Sequence, residues 1–199
     1  MFRLYGLAGL VMAATLLTQL ALPSQRLADA HRPAFTASLT IADLAYAARP
    51  AQLSDYVGLH VQLPADGLLA QETCLAQAVY FEARSEPLEG QLAVAQVILN
   101  RVSDRRYPDN ICAVVFQNER LRHRCQFSFA CDGRSDQPYD RRAWSIAKKI
   151  SIVALTGEWQ DLSLQATHYH ANYVNPYWQA RMHQTAQYGR HKFYRDRGI

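Results

Sequence analysis

Charge, cysteine, glycine and proline are all scarce in this 199-residue chain. The formal net charge is only +4 and the charged residues are spread along the sequence, so we expect no nucleic-acid partner. Nine Gly and eight Pro exclude a collagen-like chain, and 11% aromatic residues exclude a wholly disordered one. Neither an internal repeat nor a low-complexity tract is present. What remains is one globular domain with some additional length.

The usual zinc-binding spacings are also missing. The four cysteines form no Cys-x-x-Cys, and no His-Glu-x-x-His occurs. His168 and His170, together with Cys125 and Cys131, leave a zinc peptidase or amidase as an alternative. A His-x-His pair is a weak metal signal, so we expect neither a metal nor another cofactor.

The first 30 residues have the pattern of an export signal. Arg3 precedes an uncharged run over 4–22, which Pro23 ends, and Ala28-Asp29-Ala30 matches a small-x-small cleavage site. The run of 19 residues is also close to the roughly 20 that span a bilayer. Residues 1–30 are therefore predicted to be a signal peptide or a membrane anchor. Either one places the rest of the chain in the periplasm or cell envelope.

Residues 31–71 are rich in Ala, Pro and polar side chains with weak periodicity, which predicts a linker or a loosely packed arm. The folded domain is expected over 72–199. We predict a helix over 72–84, a second one from Pro87 that is apolar almost all round and hence buried, and a third ended by Gly157. Short alternating segments at 166–171 and 190–195 predict a small strand pair. The expected fold class is α+β, mostly α.

Glu82 is the leading catalytic candidate. It follows Val79-Tyr80-Phe81 near the end of the first predicted helix. Apolar surroundings and the negative end of the helix dipole both raise the pKa of a carboxyl group. A carboxyl group that stays protonated near neutral pH can act as a general acid on a glycosidic oxygen. The alternative is a surface ion pair with Arg84 or another arginine.

Several blocks of sequence around this residue resemble the spore-cortex-lytic and cell-wall hydrolase family of the SleB type. They occur in the family's order and cover about residues 74 to 195. The blocks are Tyr80-Phe81-Glu82-Ala83-Arg84-Ser85-Glu86, residues 89–102, residues 125–133, Thr167-His168-Tyr169-His170-Ala171 with Tyr173-Val174-Asn175-Pro176 and Trp178, and Gly189-Arg190-His191-Lys192-Phe193-Tyr194.

The resemblance implies a lysozyme-like helical domain that cuts peptidoglycan between N-acetylmuramic acid and N-acetylglucosamine, with Glu82 as the catalytic acid. Ser85 departs from the glycine that is common in the family. Ser fits there unless the position needs a positive φ.

Two mechanisms differ in how many carboxyl groups they need. A hydrolase uses two, and Glu86 and Glu89 are the candidates for the second. A lytic transglycosylase uses Glu82 alone, first as acid and then as base, and leaves a 1,6-anhydromuramyl end. The resemblance favours the transglycosylase. A muramidase, an amidase and a non-catalytic wall-binding module are the alternatives.

Further residues are candidates for holding the glycan strand. Amides and hydroxyls can hydrogen-bond sugar groups, and aromatic faces can support sugar rings. If 166–171 is a strand, Tyr169 points away from His168 and His170. The predicted substrate-binding residues are Gln91, Gln126, Ser128, Tyr169, His170, Tyr173 and Trp178. We expect a monomer whose partner is the peptidoglycan strand.

The four cysteines are expected to form disulfides, because the domain is predicted to face an oxidising compartment. Four cysteines allow three pairings. We favour Cys125 with Cys131, which closes the aromatic loop, and Cys74 with Cys112.

Overall fold

The computed structural model describes residues 52–59, 61–65, 67–121 and 124–198. The predicted signal peptide or anchor at 1–30 lies outside the described residues. No helix in the described part of the chain combines the length and the apolar character needed to cross a membrane. In chain order the elements are α1 (Leu53–Leu59), α2 (Ala70–Ala83), α3 (Leu88–Ser103), α4 (Ile111–Val115), α5 (Arg141–Thr156), β1 (His168–Ala171), β2 (Met182–Tyr188) and β3 (His191–Asp196).

Local signals in the sequence set the ends of the long helices. The Glu72 side chain accepts a hydrogen bond from Leu69 N–H at the start of α2. Pro87 immediately precedes α3, where its missing N–H costs nothing. Asp140 caps α5 by accepting from Ala143 N–H, and Gly157 ends that helix at φ 66°. All three predicted long helices are present.

The centre of the domain is α3. Every residue from 90 to 98 is buried, as its apolar circumference predicts. One side of the helix packs with α2, α4 and α5 around a core that includes Tyr80, Leu92, Ile98 and Ile150. Its other side contacts the sheet, where Val94 and Val97 meet Phe193. The Glu82 end of α2 is thereby held against β1 and β3.

Part of the predicted arm at 31–71 is packed structure. Leu53, Tyr56, Val57 and Val61 are buried and belong to the core cluster of the domain. Tyr56 also donates a hydrogen bond to Glu158. The periodicity of α1 is weak because the helix has only seven residues, and its burial comes from contacts with residues distant in sequence.

The sheet is antiparallel with strand order β1-β3-β2. The predicted pairing of 166–171 with 190–195 is confirmed, since His168 aligns with Tyr194 and Ala171 with His191. The sequence did not predict β2. Its residues Met-His-Gln-Thr-Ala-Gln-Tyr are mostly polar and form a sheet edge where only Met182 is buried, so hydrophobic alternation is absent there. The mostly-α fold with a small sheet is confirmed.

Candidate active site

Glu82 lies in the last turn of α2, partly buried between that helix end, β1 and the 126–129 segment. Burial raises the pKa of Glu82 above its ordinary value. Three groups oppose that shift without cancelling it: the Tyr169 hydroxyl, which donates to Oε2 at 3.3 Å, the backbone N–H of Ser128, and the positive charge of Arg101. As predicted, this carboxyl group favours its protonated form more than a free glutamate does.

Arg84 does not form the alternative ion pair with Glu82. Its guanidinium lies over the rings of Tyr80 and Tyr139, with Cζ 4.9 and 5.4 Å from their centroids. The side chain also donates a hydrogen bond to the Tyr139 hydroxyl at 3.0 Å. Glu82 and Arg84 are two residues apart on a helix, and such residues point in different directions.

Arg101 is a buried cation beside Glu82 that the sequence analysis missed. Only 3% of its surface is exposed, and its Nε donates to the Thr167 carbonyl at 2.7 Å. The guanidinium packs over Tyr107 and Phe127, 5.4 and 5.7 Å from the ring centroids. A charged residue near the end of a helix that is largely buried is the signal that identifies such a position.

The predicted residues Gln126 and Ser128 do lie at this site. Phe127 and Phe129 are buried, and Phe129 stacks on Phe81 one residue before Glu82, so the segment is fixed against α2. Gln126 and Ser128, which alternate with these two phenylalanines, are exposed. With its amide oxygen turned to Arg101, Gln126 accepts a hydrogen bond from Nη1 at 2.9 Å. Ser128 therefore contacts Glu82 through its backbone, Gln126 contacts the neighbouring Arg101, and both side chains are exposed to solvent.

Two other predicted residues, His170 and Trp178, lie on the face of the sheet that is turned away from Glu82. Tyr169 points to Glu82, whereas His170 points to the other face of the sheet, as the strand period requires. His170 is 7% exposed and bonded to the Ala171 carbonyl, Gln179 and Tyr194. Trp178 lies on that same face, 5.5 Å from the His170 ring. The prediction that His170 and Trp178 line the site is not supported by this placement.

Gln91 and Tyr173 are not brought to Glu82 either. Gln91 is 4% exposed and donates to the Glu86 carbonyl at 3.0 Å, which is a structural role at the start of α3. Tyr173 lies in the turn that follows β1 and is 76% exposed. Polar and aromatic residues serve in cores and turns as often as in binding sites, and sequence alone does not separate these uses.

Glu86 forms an ion pair with Arg190. It is 8% exposed and accepts from Arg190, at 2.8 Å from the backbone N and 3.1 Å from Nε. Burial disfavours its charge, but these hydrogen bonds and the nearby His191 hold the pKa of Glu86 below its ordinary value. Neighbouring Ser85 accepts from Arg190 Nη2 and is not among the described residues with positive φ, so Ser fits this position.

Both favoured disulfides are present. Cys74 joins Cys112 across α2 and α4, and Cys125 joins Cys131 around the segment that carries Ser128. Cys125 and Cys131 are therefore not thiolate ligands for a metal. In the described ranges no group of three His, Cys, Asp or Glu side chains is placed to hold a metal ion.

A cavity of about 480 Å³ lies beside the site but does not contain Glu82. Asn100, Asp104, Thr167 and Arg195 line it, together with Ser103, Arg105, Gln165 and Asp196. The Thr167 carbonyl also accepts the hydrogen bond from Arg101, so the cavity is adjacent to that side chain. The groups that contact Glu82 are instead Tyr169 and the backbone of Ser128.

Comparison with known proteins agrees with this arrangement of helices and sheet. The model of the cell wall hydrolase family matches residues 85–194, which begin three residues after Glu82. The spore cortex-lytic enzyme of Halalkalibacterium halodurans is 41% identical over 95 residues, covering 48% of this chain and 25% of that protein. The spore cortex-lytic enzyme of Oceanobacillus iheyensis is 32% identical over 120 residues, covering 60% of this chain and 39% of that protein.

Two solved structures share the fold. The catalytic domain of the germination-specific lytic transglycosylase SleB from Bacillus anthracis superimposes with a TM-score of 0.54 at 29% identity, covering 67% of this chain and all of that one. The catalytic domain of the Bacillus cereus SleB protein gives 0.52 at 30% identity, covering 67% of this chain and 95% of that one. The chain belongs to the cell wall hydrolase family, a family of enzymes, and the resemblance found in its sequence is confirmed.

Proposed function

We propose that this domain cuts the glycan strand of peptidoglycan between N-acetylmuramic acid and N-acetylglucosamine, as a lytic transglycosylase with Glu82 as acid and then base. The observation that carries the proposal is the environment of Glu82. Burial raises the pKa of Glu82 and so favours its protonated form, while Tyr169, Ser128 and Arg101 stabilise its carboxylate form. The similarity to the catalytic domain of a lytic transglycosylase supports the same reaction.

In the first half of the reaction, Glu82 gives its proton to the glycosidic oxygen as the bond from that oxygen to C1 breaks. In the second half, the Glu82 carboxylate takes the proton of the muramyl 6-hydroxyl, and the hydroxyl oxygen bonds to C1. The products are a new hydroxyl end and a 1,6-anhydro ring. Glu82 gives up one proton and later takes up one proton, so it is regenerated and no water is consumed.

A single acidic residue is sufficient for this sequence of steps. Glu86 is held as a carboxylate by Arg190 and is already engaged through both oxygens. Such a group is poorly suited to activate a water molecule, because a base must exchange its present hydrogen bonds for one to water. These bonds argue against Glu86 as the second carboxyl group of a hydrolase.

The residues beside Glu82 suggest how the strand is held. The Gln126 amide and the Ser128 hydroxyl are exposed polar groups, suited to bond the acetamido and hydroxyl groups of a sugar. We propose that the enzyme is exported and acts in the cell envelope. The two disulfides and the name spore cortex-lytic enzyme carried by its relatives support that location.

The test is digestion of purified peptidoglycan followed by mass spectrometry of the released fragments. The wild type should release fragments with anhydromuramyl ends, and Glu82→Gln should lower the rate at least about 100-fold. Glu89→Gln is the matched control, because it makes the same change of carboxyl to amide in the first turn of α3. This control should keep the wild-type rate.

Each other product would contradict the proposal in a different way. Reducing muramyl ends would mean a hydrolase, and freed stem peptides an amidase. Wall binding by the wild type without any release would mean a non-catalytic module. A Glu89→Gln variant as inactive as Glu82→Gln would mean that two carboxyl groups are needed.

A further inference from the structure

Tyr139 is an exposed aromatic residue held in a fixed position. Its exposed fraction is 76%, yet its hydroxyl accepts a hydrogen bond from Arg84 at 3.0 Å and the Arg84 guanidinium lies 5.4 Å from its ring centroid. Its ring also meets Tyr80 edge-on at 6.1 Å. Tyr173 and Tyr177 are as exposed but have no aromatic or cationic contact within the described residues.

The backbone under Tyr139 is fixed as well. The hydroxyl of Tyr80, a fully buried side chain, accepts hydrogen bonds from the backbone N–H groups of Tyr139 and Asp140 at 3.2 and 2.9 Å. Asp140 is also the N-cap of α5, which begins at the next residue. At the other end of the segment, Gln77 donates to the Asp136 carbonyl at 3.2 Å. The 136–140 segment is therefore attached along α2, and ordering Tyr139 costs little when a ligand binds.

The same helix end carries both Tyr139's partner Arg84 and the acid Glu82. Residues two apart on an α-helix differ by about 200° in direction, so Arg84 and Glu82 emerge on different sides of the end of α2. Tyr139 consequently does not face the bond that Glu82 protonates. A long polymer that crosses this helix end can contact both sides.

We propose that Tyr139 and Arg84 form a binding subsite for a sugar unit of the glycan strand that is remote from the cleaved bond. The proposal rests on the function proposed above. The apolar face of an N-acetylated sugar ring would lie on the exposed tyrosine ring, and the Arg84 N–H groups would donate to its hydroxyl or acetamido oxygens. The subsite recognises strand length and takes no part in the chemical step.

The test measures binding of N-acetylglucosamine oligomers of two and six units in the Glu82→Gln background, where no bond is cut. Tyr139→Ala should weaken hexamer binding about tenfold and leave dimer binding unchanged. Tyr139→Phe keeps the ring and should lose less than about threefold. Tyr177→Ala is the control for loss of an equally exposed tyrosine and should change neither affinity. In the active enzyme, Tyr139→Ala should raise KM for long strands at unchanged kcat.

Three results would overturn the subsite: hexamer binding that Tyr139→Ala does not weaken, dimer and hexamer weakened equally, or no measurable hexamer binding by the parent. Tyr139→Leu keeps apolar volume without an aromatic face, and it replaces the alanine variant if that one unfolds. The outcome is separable from the proposed reaction, because product analysis of the wild type depends on Glu82 and oligomer binding does not require cleavage.

Discussion

The Tyr169 hydroxyl donates a hydrogen bond to Glu82 Oε2 across 3.3 Å, and it joins residues 87 positions apart in the sequence. Burial holds the pKa of Tyr169 well above its ordinary value, so the phenol keeps its proton and remains a donor. The hydrogen bond favours the Glu82 carboxylate and thereby opposes the effect of burial on Glu82. Tyr169 therefore stabilises the carboxylate form of Glu82.

Replacing Tyr169 by Phe tests that role. Without the hydroxyl, the pKa of Glu82 should rise further, so the decline of kcat/KM at high pH should move to a higher pH. The maximal rate should fall about tenfold, because the carboxylate formed during the reaction loses a hydrogen bond. The measurement is a pH profile of strand cleavage.

Tyr194→Phe is the control for this profile. The Tyr194 hydroxyl bonds His170 at 2.9 Å on the other face of the sheet. Its removal should leave the high-pH limb where it is. An unchanged profile in Tyr169→Phe would mean that the hydroxyl does not act on Glu82.

The stability of the protein should depend on pH through Glu82. The folded-state pKa of Glu82 is raised, so the stabilisation from its protonation is complete below the unfolded value near 4.5 and is lost as pH rises through the folded pKa. Glu82→Gln cannot lose a proton, so its stability relative to the wild type should increase across that window. Denaturant unfolding at a series of pH values measures the difference.

The stability of Glu86→Gln relative to the wild type should change with pH in the opposite direction. The folded-state pKa of Glu86 is lowered, so the charged carboxylate stabilises the fold above the unfolded pKa. This stabilisation is lost as pH falls through the folded-state pKa. The variant should therefore be less stable than the wild type at neutral pH and approach it in acid. Identical pH dependence in the two variants would contradict both assignments.

Removal of the two disulfides should lower the free energy of unfolding by different amounts. Cys74–Cys112 closes a separation of 38 residues, so replacing both residues by Ser should lower the free energy of unfolding by about 3 to 4 kcal/mol. Cys125–Cys131 spans six residues and should cost about 2 kcal/mol. The second change should lower activity more, because its loop carries Ser128. Equal losses of activity at matched folded fractions would contradict this division.

Gly189→Ala should destabilise the fold by about 2 to 4 kcal/mol. Gly189 has φ 53°, and a Cβ atom there would collide with Glu86 Oε2 and lie 2.8 Å from Pro87 Cδ. Gly58→Ala is the control, since a Cβ at Gly58 meets nothing within 4 Å. Thermal unfolding followed by circular dichroism compares the two, and equal stability would mean that the turn relaxes without cost.

Local patterns predicted the elements whose ends carry their own signals. Pro87, Asp140 and Gly157 set helix boundaries through backbone chemistry, and the apolar circumference of α3 identified the buried helix. The patterns failed for α1 and β2. Both are short, and contacts with distant residues or the pairing of an edge strand stabilise them.

The sequence by itself determined that Glu82 follows apolar residues near the end of a helix, because that depends on neighbours within a few residues. Only the tertiary structure decided which groups surround it. It brought Arg101, Ser128 and Tyr169 to Glu82, and it left Gln91, His170 and Trp178 elsewhere. The physical reason is that the direction of a side chain follows from its own backbone, whereas its partner depends on how helices and strands pack.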